Sequence, residues 1–159
     1  MASQIITLVG VLLGAVTSFA ATTLVERARF RQALATRWDE RKLDTYVEYV
    51  TSVKEAARAA RQALDARDRG EDPTGALTEM EAAESRRSVL FENLVLLADE
   101  AAVQTAATVN ERLWALLRCA RDPADVPAAH RTELGPGVVD ALNGLHQRAR
   151  TDLAIGSSS

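Results

Sequence analysis

The first 25 residues of this chain contain no charged side chain, and the stretch from 5 to 25 is predominantly apolar. A helix that crosses a bilayer needs about 20 consecutive apolar residues. The serine and threonine hydroxyls in this stretch are compatible with lipid because they can bond back to the helix backbone. We therefore predict a transmembrane anchor in residues 1–25.

Basic residues follow this run directly and predict the orientation of the chain. Those nearest the predicted membrane surface are Arg27, Arg29, Arg31 and Arg37. Because Lys and Arg concentrate on the cytoplasmic side of a span, we expect the C-terminal domain in the cytoplasm and a very short N-terminus outside. The predicted location is the cytoplasmic membrane, with these arginines close to the lipid headgroups of the bilayer.

A cleaved secretory signal is the alternative interpretation of the same run. Ser18-Phe19-Ala20 resembles a small-x-small cleavage site, so the mature protein would be a secreted helical chain that begins at Ala21. No Lys or Arg precedes the apolar run, whereas signal peptides carry a positive segment there. This difference favours the uncleaved anchor.

Small and hydroxylated residues recur every four positions within the predicted span. They are Gly10, Gly14, Ser18 and Thr22, which share one face of a helix. Small side chains let two helix backbones approach closely in lipid. The pattern predicts a homo-oligomer formed through this face, or pairing with another membrane protein.

The cytoplasmic part, residues 26–155, is predicted to be an antiparallel bundle of three or four helices. No Gly or Pro occurs between Ala15 and Arg69, which favours one continuous helix from the span to residue 69. Its a/d seam has coiled-coil spacing and comprises Leu43, Tyr46, Val50, Val53, Ala57, Ala60 and Leu64. The predicted helices cover about 26–69, 74–98, 99–121 and 138–154, and residues 156–159 are predicted to be a flexible tail.

Glycine, proline and capping residues set these boundaries. Gly70 and Pro73 indicate a turn, and Asp99 is suited to cap a new helix, although the pattern leaves open whether residues 98–101 form a kink or a corner. Two prolines and Gly135-Pro136-Gly137 predict a loop between residues 122 and 137. The seam of the second helix is weak in its first half, where Arg87 occupies a seam position.

No residue pattern predicts catalysis, a cofactor or a metal. The chain has no phosphate-binding glycine motif, zinc-hydrolase motif or serine-hydrolase motif, and Cys119 is its single cysteine. Glu40, Asp44 and Glu48 share a helix face, but neighbouring basic residues favour a solvated, ion-paired surface. The net charge of −3 gives no reason to expect nucleic acid as a partner.

Residues 35–50, Ala-Thr-Arg-Trp-Asp-Glu-Arg-Lys-Leu-Asp-Thr-Tyr-Val-Glu-Tyr-Val, resemble the juxtamembrane helix of small single-pass bacterial membrane proteins. The resemblance covers mainly residues 25–60 and implies a single-pass architecture. It implies no activity and no catalytic residue.

These observations together predict a non-enzymatic, membrane-anchored scaffold or adaptor. It would associate with itself through the span and bind a cytoplasmic protein with the outside of the bundle. The alternative from the same architecture is a sensor or regulatory subunit, in which the continuous helix transmits the state of the membrane to the bundle.

Overall fold

The computed structural model describes residues 37–153, apart from the side chains of residues 125, 128 and 129. The chain divides into two compact units, residues 1–40 and 41–159. Residues 37–40 of the first unit are helical, whereas the predicted span and the tail at 156–159 lie outside the described residues. Among the helices of residues 37–153, none is both long and apolar enough to cross a bilayer.

The second unit is a helical bundle. Its helices are α1 (41–68), α2 (Thr74–Leu97), α3 (Glu100–Arg121) and α4 (Ala128–Asp152), and a short 3-10 turn covers Pro123–Asp125. The described residues contain no strand. The predicted helical bundle is confirmed, and it has four helices within the part of the chain that the structure describes.

Contacts between the helices give their directions. Tyr49 contacts Phe91 and Glu55 binds Arg86, so α1 and α2 are antiparallel. Lys42 binds Asp152 while Arg61 lies against Gly135, so α1 and α4 are also antiparallel. The helix α3 runs parallel to α1 and packs along α4.

Two neighbouring stripes of α1 are buried, where the sequence predicted one seam. Most of the predicted seam is buried, although Leu43 is exposed and Leu64 is only partly covered. The second stripe lies one residue earlier at each step and consists of Thr45, Tyr49, Ser52, Ala56, Ala59, Ala63 and Ala66. The small residues of this stripe allow close packing, and α1 makes contacts with all three other helices.

The two predicted helix boundaries in the middle of the bundle agree with the structure. Gly70 has a φ of +72° and ends α1 with hydrogen bonds from Gly70 N to Arg67 O and from Glu71 N to Ala66 O, which form a Schellman motif. Asp99 caps α3 by accepting a hydrogen bond from the amide of Ala102 at 2.7 Å. Residues 98 and 99 are both extended, so the connection between α2 and α3 is a corner and not a kink.

The predicted loop before the last helix was wrong. The helix α4 begins at Ala128, ten residues before the predicted start, and continues through Pro136. A proline inside a helix costs about 3 kcal/mol, and two sets of contacts oppose that cost. Leu134 and Val138 pack on the core, and the guanidinium of Arg131 donates hydrogen bonds to the carbonyls of Val126 and Pro123.

Candidate interaction surface

A polar cluster, buried except at its Glu84 and Trp114 side chains, lies between α1, α2 and α3, and we call it the polar core. Its members are Tyr49, Glu84, Arg87, Asn110 and Trp114. The guanidinium of Arg87 forms two hydrogen bonds with Glu84, at 2.7 and 2.8 Å, and a third with Asn110 Oδ1 at 2.6 Å. The hydroxyl of Tyr49 lies 2.7 Å from the same Asn110 oxygen. The indole of Trp114 donates to Glu84 at 3.0 Å and lies beside the Arg87 guanidinium.

The protonation states of Tyr49 and Glu84 are those expected of side chains that stabilise the fold by hydrogen bonding. Burial raises the pKa of the Tyr49 hydroxyl, which therefore stays protonated despite the nearby Arg87. Desolvation opposes ionisation of Glu84, but the hydrogen bonds from Arg87 and Trp114 outweigh it and lower the pKa of this carboxyl. The groups of the polar core are thus bonded to one another, and neither Tyr49 nor Glu84 is poised to act as a base near pH 7.

A second ionic cluster joins the start of α1 to the end of α4. Asp152 accepts hydrogen bonds from Lys42 at 3.0 Å and from the hydroxyl of Tyr46 at 2.8 Å. Burial, followed by the hydrogen bond to Asp152, raises the pKa of Tyr46. The cluster fixes the end of α4 against α1.

Cys119 lies in an unreactive environment. Cys119 is buried in α3, and desolvation raises the pKa of its thiol in spite of the positive charges of Arg131 and Arg67. A protonated, buried thiol is a poor nucleophile. No group of three or more His, Cys, Asp or Glu side chains within residues 37–153 could hold a metal ion.

Most of the residues predicted to form sites lie outside the described part of the chain. This applies to the helix-pairing residues Gly10, Gly14, Ser18 and Thr22 and to three of the basic residues, Arg27, Arg29 and Arg31. Arg37 is helical and exposed. Of the acidic face, Asp44 and Glu48 are exposed on α1.

The exposed surface of α1 carries apolar residues between two grooves. Leu43 and Val47 are 44% and 56% exposed, and Thr51 continues this ridge by one turn. Val47 and Thr51 border both grooves. We call the ridge and its two grooves the α1 face.

The groove between α1 and α2, the acidic groove, has an apolar wall formed by Val47, Val89 and Leu90. Val89 is 63% exposed. Two acids, Glu48 and Glu55, line the groove against one base, Arg86, which is paired with Glu55 at 2.6 Å. Glu48 makes no ion pair among the described residues, so its negative charge in this groove is not balanced by a neighbouring base.

The groove between α1 and α4, the basic groove, has the opposite charge. Its apolar floor contains Val50, Leu145 and Leu153, and its basic residues are Lys54, His146 and Arg150. No acid lines it, and these three side chains make no ion pair within residues 37–153. Desolvation, and then the charges of Lys54 and Arg150, lower the pKa of His146, so the imidazole is neutral at pH 7 and the groove carries two positive charges.

Sequence reasoning missed both the polar core and the basic groove. Asn110 lies beside the seam residue Val109, and the polar residue at seam position 87 was a signal that α2 faces a polar partner. The residues of the basic groove are almost one hundred positions apart, so only the pairing of α1 with α4 brings them together.

The chain matches no model of a known protein family, no curated protein and no solved structure.

Proposed function

We propose that this chain is a non-enzymatic scaffold or adaptor, anchored in the cytoplasmic membrane by residues 1–25 and acting through protein association. Its N-terminus would be outside and its bundle in the cytoplasm. The span would associate through Gly10, Gly14, Ser18 and Thr22, and the bundle would offer the α1 face to a protein.

The contrast between interior and surface carries this proposal. The charged groups of the polar core are bonded to each other, so they stabilise the bundle. Large apolar side chains are instead exposed on α1 and on the second half of α2, where Leu96 is 82% exposed. Exposed apolar residues bordered by charges are typical of surfaces that bind another protein.

Substitution of the small residues of the predicted span tests the association. Gly10→Ile with Gly14→Ile would separate the helix backbones, and we expect loss of the oligomer band when detergent extracts of membranes are analysed by native gel electrophoresis. Leu12→Ile with Val16→Ile is the matched control, because these positions lie on the opposite side of the helix. An oligomer unaffected by the glycine substitutions would contradict association through this face.

The anchor is tested separately by mass spectrometry of the intact protein. We expect a chain that retains residues 1–25 and stays in the membrane fraction after washing with alkaline carbonate. A mature chain that begins at Ala21 would show cleavage and overturn the proposed anchor.

A further inference from the structure

The two grooves of the α1 face carry opposite charges and lie on either side of one ridge. Glu48 and Glu55 border the groove toward α2, whereas Lys54 and Arg150 border the groove toward α4. The grooves lie at the same height along the bundle, because Val47 and Thr51 border both. The ridge keeps the unpaired charges of the two grooves apart within one copy of the chain.

A two-fold axis parallel to α1 would bring these opposite charges together. Such an axis places the ridge of one copy against the ridge of the other, so that the α2 side of each copy meets the α4 side of its partner. The acidic groove then faces the basic groove twice. An axis perpendicular to the helices pairs α2 with α2 and α4 with α4, which brings like charges together.

We propose that the α1 face binds a second copy of this chain in a parallel, two-fold symmetric dimer, with Val47 and Thr51 on the axis. The proposal rests on the self-association proposed above and names the surface of the bundle that takes part in it.

The size of the face makes the dimer dependent on the anchor. The ridge together with Lys54, one turn beyond it, is about 16 Å long at about 1.5 Å per residue. Three helices side by side are about 20 Å wide at about 8–10 Å per neighbouring pair. This footprint of about 300 Å² is well below the roughly 800 Å² per partner of a standard interface. Joining the spans would raise the effective concentration of the two faces to the millimolar range.

Site-specific crosslinking in intact cells tests this dimer. Full-length chains that carry Val47→Cys or Thr51→Cys are treated with a short, permeant bis-maleimide, and we expect a covalent dimer. Thr108→Cys is a matched control, because Thr108 is also an exposed helical threonine whose hydroxyl bonds to the carbonyl four residues earlier, but it lies on α3. The unsubstituted chain gives the background, since Cys119 is buried.

Each outcome supports or overturns the proposal. Dimer at positions 47 and 51 but not at 108 supports it, whereas equal crosslinking at 51 and 108 indicates random collision and overturns it. Absence of crosslinking at 47 and 51, while native gels of the same chains still show an oligomer, overturns the α1 interface and leaves association through the span. Absence of any oligomer by both methods overturns both proposals.

Discussion

The polar core and the α1 face both combine charged groups with apolar residues, but they satisfy those charges in different ways. In the polar core, Arg87 binds Glu84 and Asn110 within the same chain. On the α1 face, Glu48 and Arg150 lie on opposite sides of a ridge, where neither makes an ion pair among the described residues. The first arrangement is satisfied within the bundle, and we propose that the second is available to a partner.

Loss of the Arg87 side chain gives the largest expected effect. Arg87→Ala leaves Glu84 and Asn110 without their main donor, and breaking a buried ion pair in this way costs about 3–5 kcal/mol. The neighbouring Arg86→Ala is the control, because Arg86 and Glu55 form an exposed pair and its loss costs about 0.5 kcal/mol or less. Chemical denaturation of the full chain, followed by circular dichroism, measures both. Equal losses would mean that the two arginines do not differ in the way that their burial implies.

Removal of the Tyr49 hydroxyl gives the next effect. Tyr49→Phe keeps the ring against Phe91 but removes the donor to Asn110, and we expect a loss of about 1–2 kcal/mol in the free energy of unfolding. A double-mutant cycle with Asn110→Ala measures the coupling of the two side chains. Full additivity would contradict a shared network.

The pH dependence of stability tests the ionised state of Glu84. Because folding lowers the pKa of this carboxyl below its ordinary value of 4.5, its contribution is present above about pH 4.5 and is lost as the pH falls through the lower, folded value. Glu84→Gln should therefore flatten the decline of stability on the acid side of pH 4.5. An unchanged slope in unfolding experiments between pH 6 and pH 3, a window of roughly one and a half units to each side, would show that Glu84 has no linked proton.

Substitutions on the α1 face give the smallest expected effect on stability. Glu48→Lys replaces an exposed side chain that has no ion pair, so the free energy of unfolding should change by about 0.5 kcal/mol or less. The same denaturation experiment measures it. A loss as large as that for Arg87→Ala would mean that the α1 face also stabilises the fold.

Most of the helix boundaries could be predicted from the sequence, because they depend on signals that act within a few residues. Gly70 supplies the left-handed conformation that ends α1, and Asp99 caps α3, so the boundaries of the middle helices could be predicted. Pro136 is a local signal of the same kind, and here it misled. The packing of α4 on the core outweighs the cost of the proline, and such packing cannot be evaluated before the neighbouring helix is known.

The candidate surfaces depend on contacts between helices and were largely beyond sequence reasoning. The second buried stripe of α1, which is rich in alanine, shows that this helix contacts neighbours on several sides. A single a/d seam predicts contacts on fewer sides. Arg87 and Asn110 are 23 positions apart and belong to different helices, so nothing in either segment predicts their hydrogen bond. The prediction of a bundle was confirmed, while the membrane anchor and its helix-pairing face remain predictions.

Exchanging the charges of two residues on the α1 face tests most directly whether this face binds a second copy of the chain. Energy transfer between differently labelled full-length chains in membranes measures association for Glu48→Lys, Arg150→Glu and the double variant. We expect each single substitution to weaken association, because like charges then meet across the two-fold axis, and the double variant to restore it. Association that is unchanged in both single variants, or that is weakest in the double variant, would contradict the α1 face as the surface between two copies.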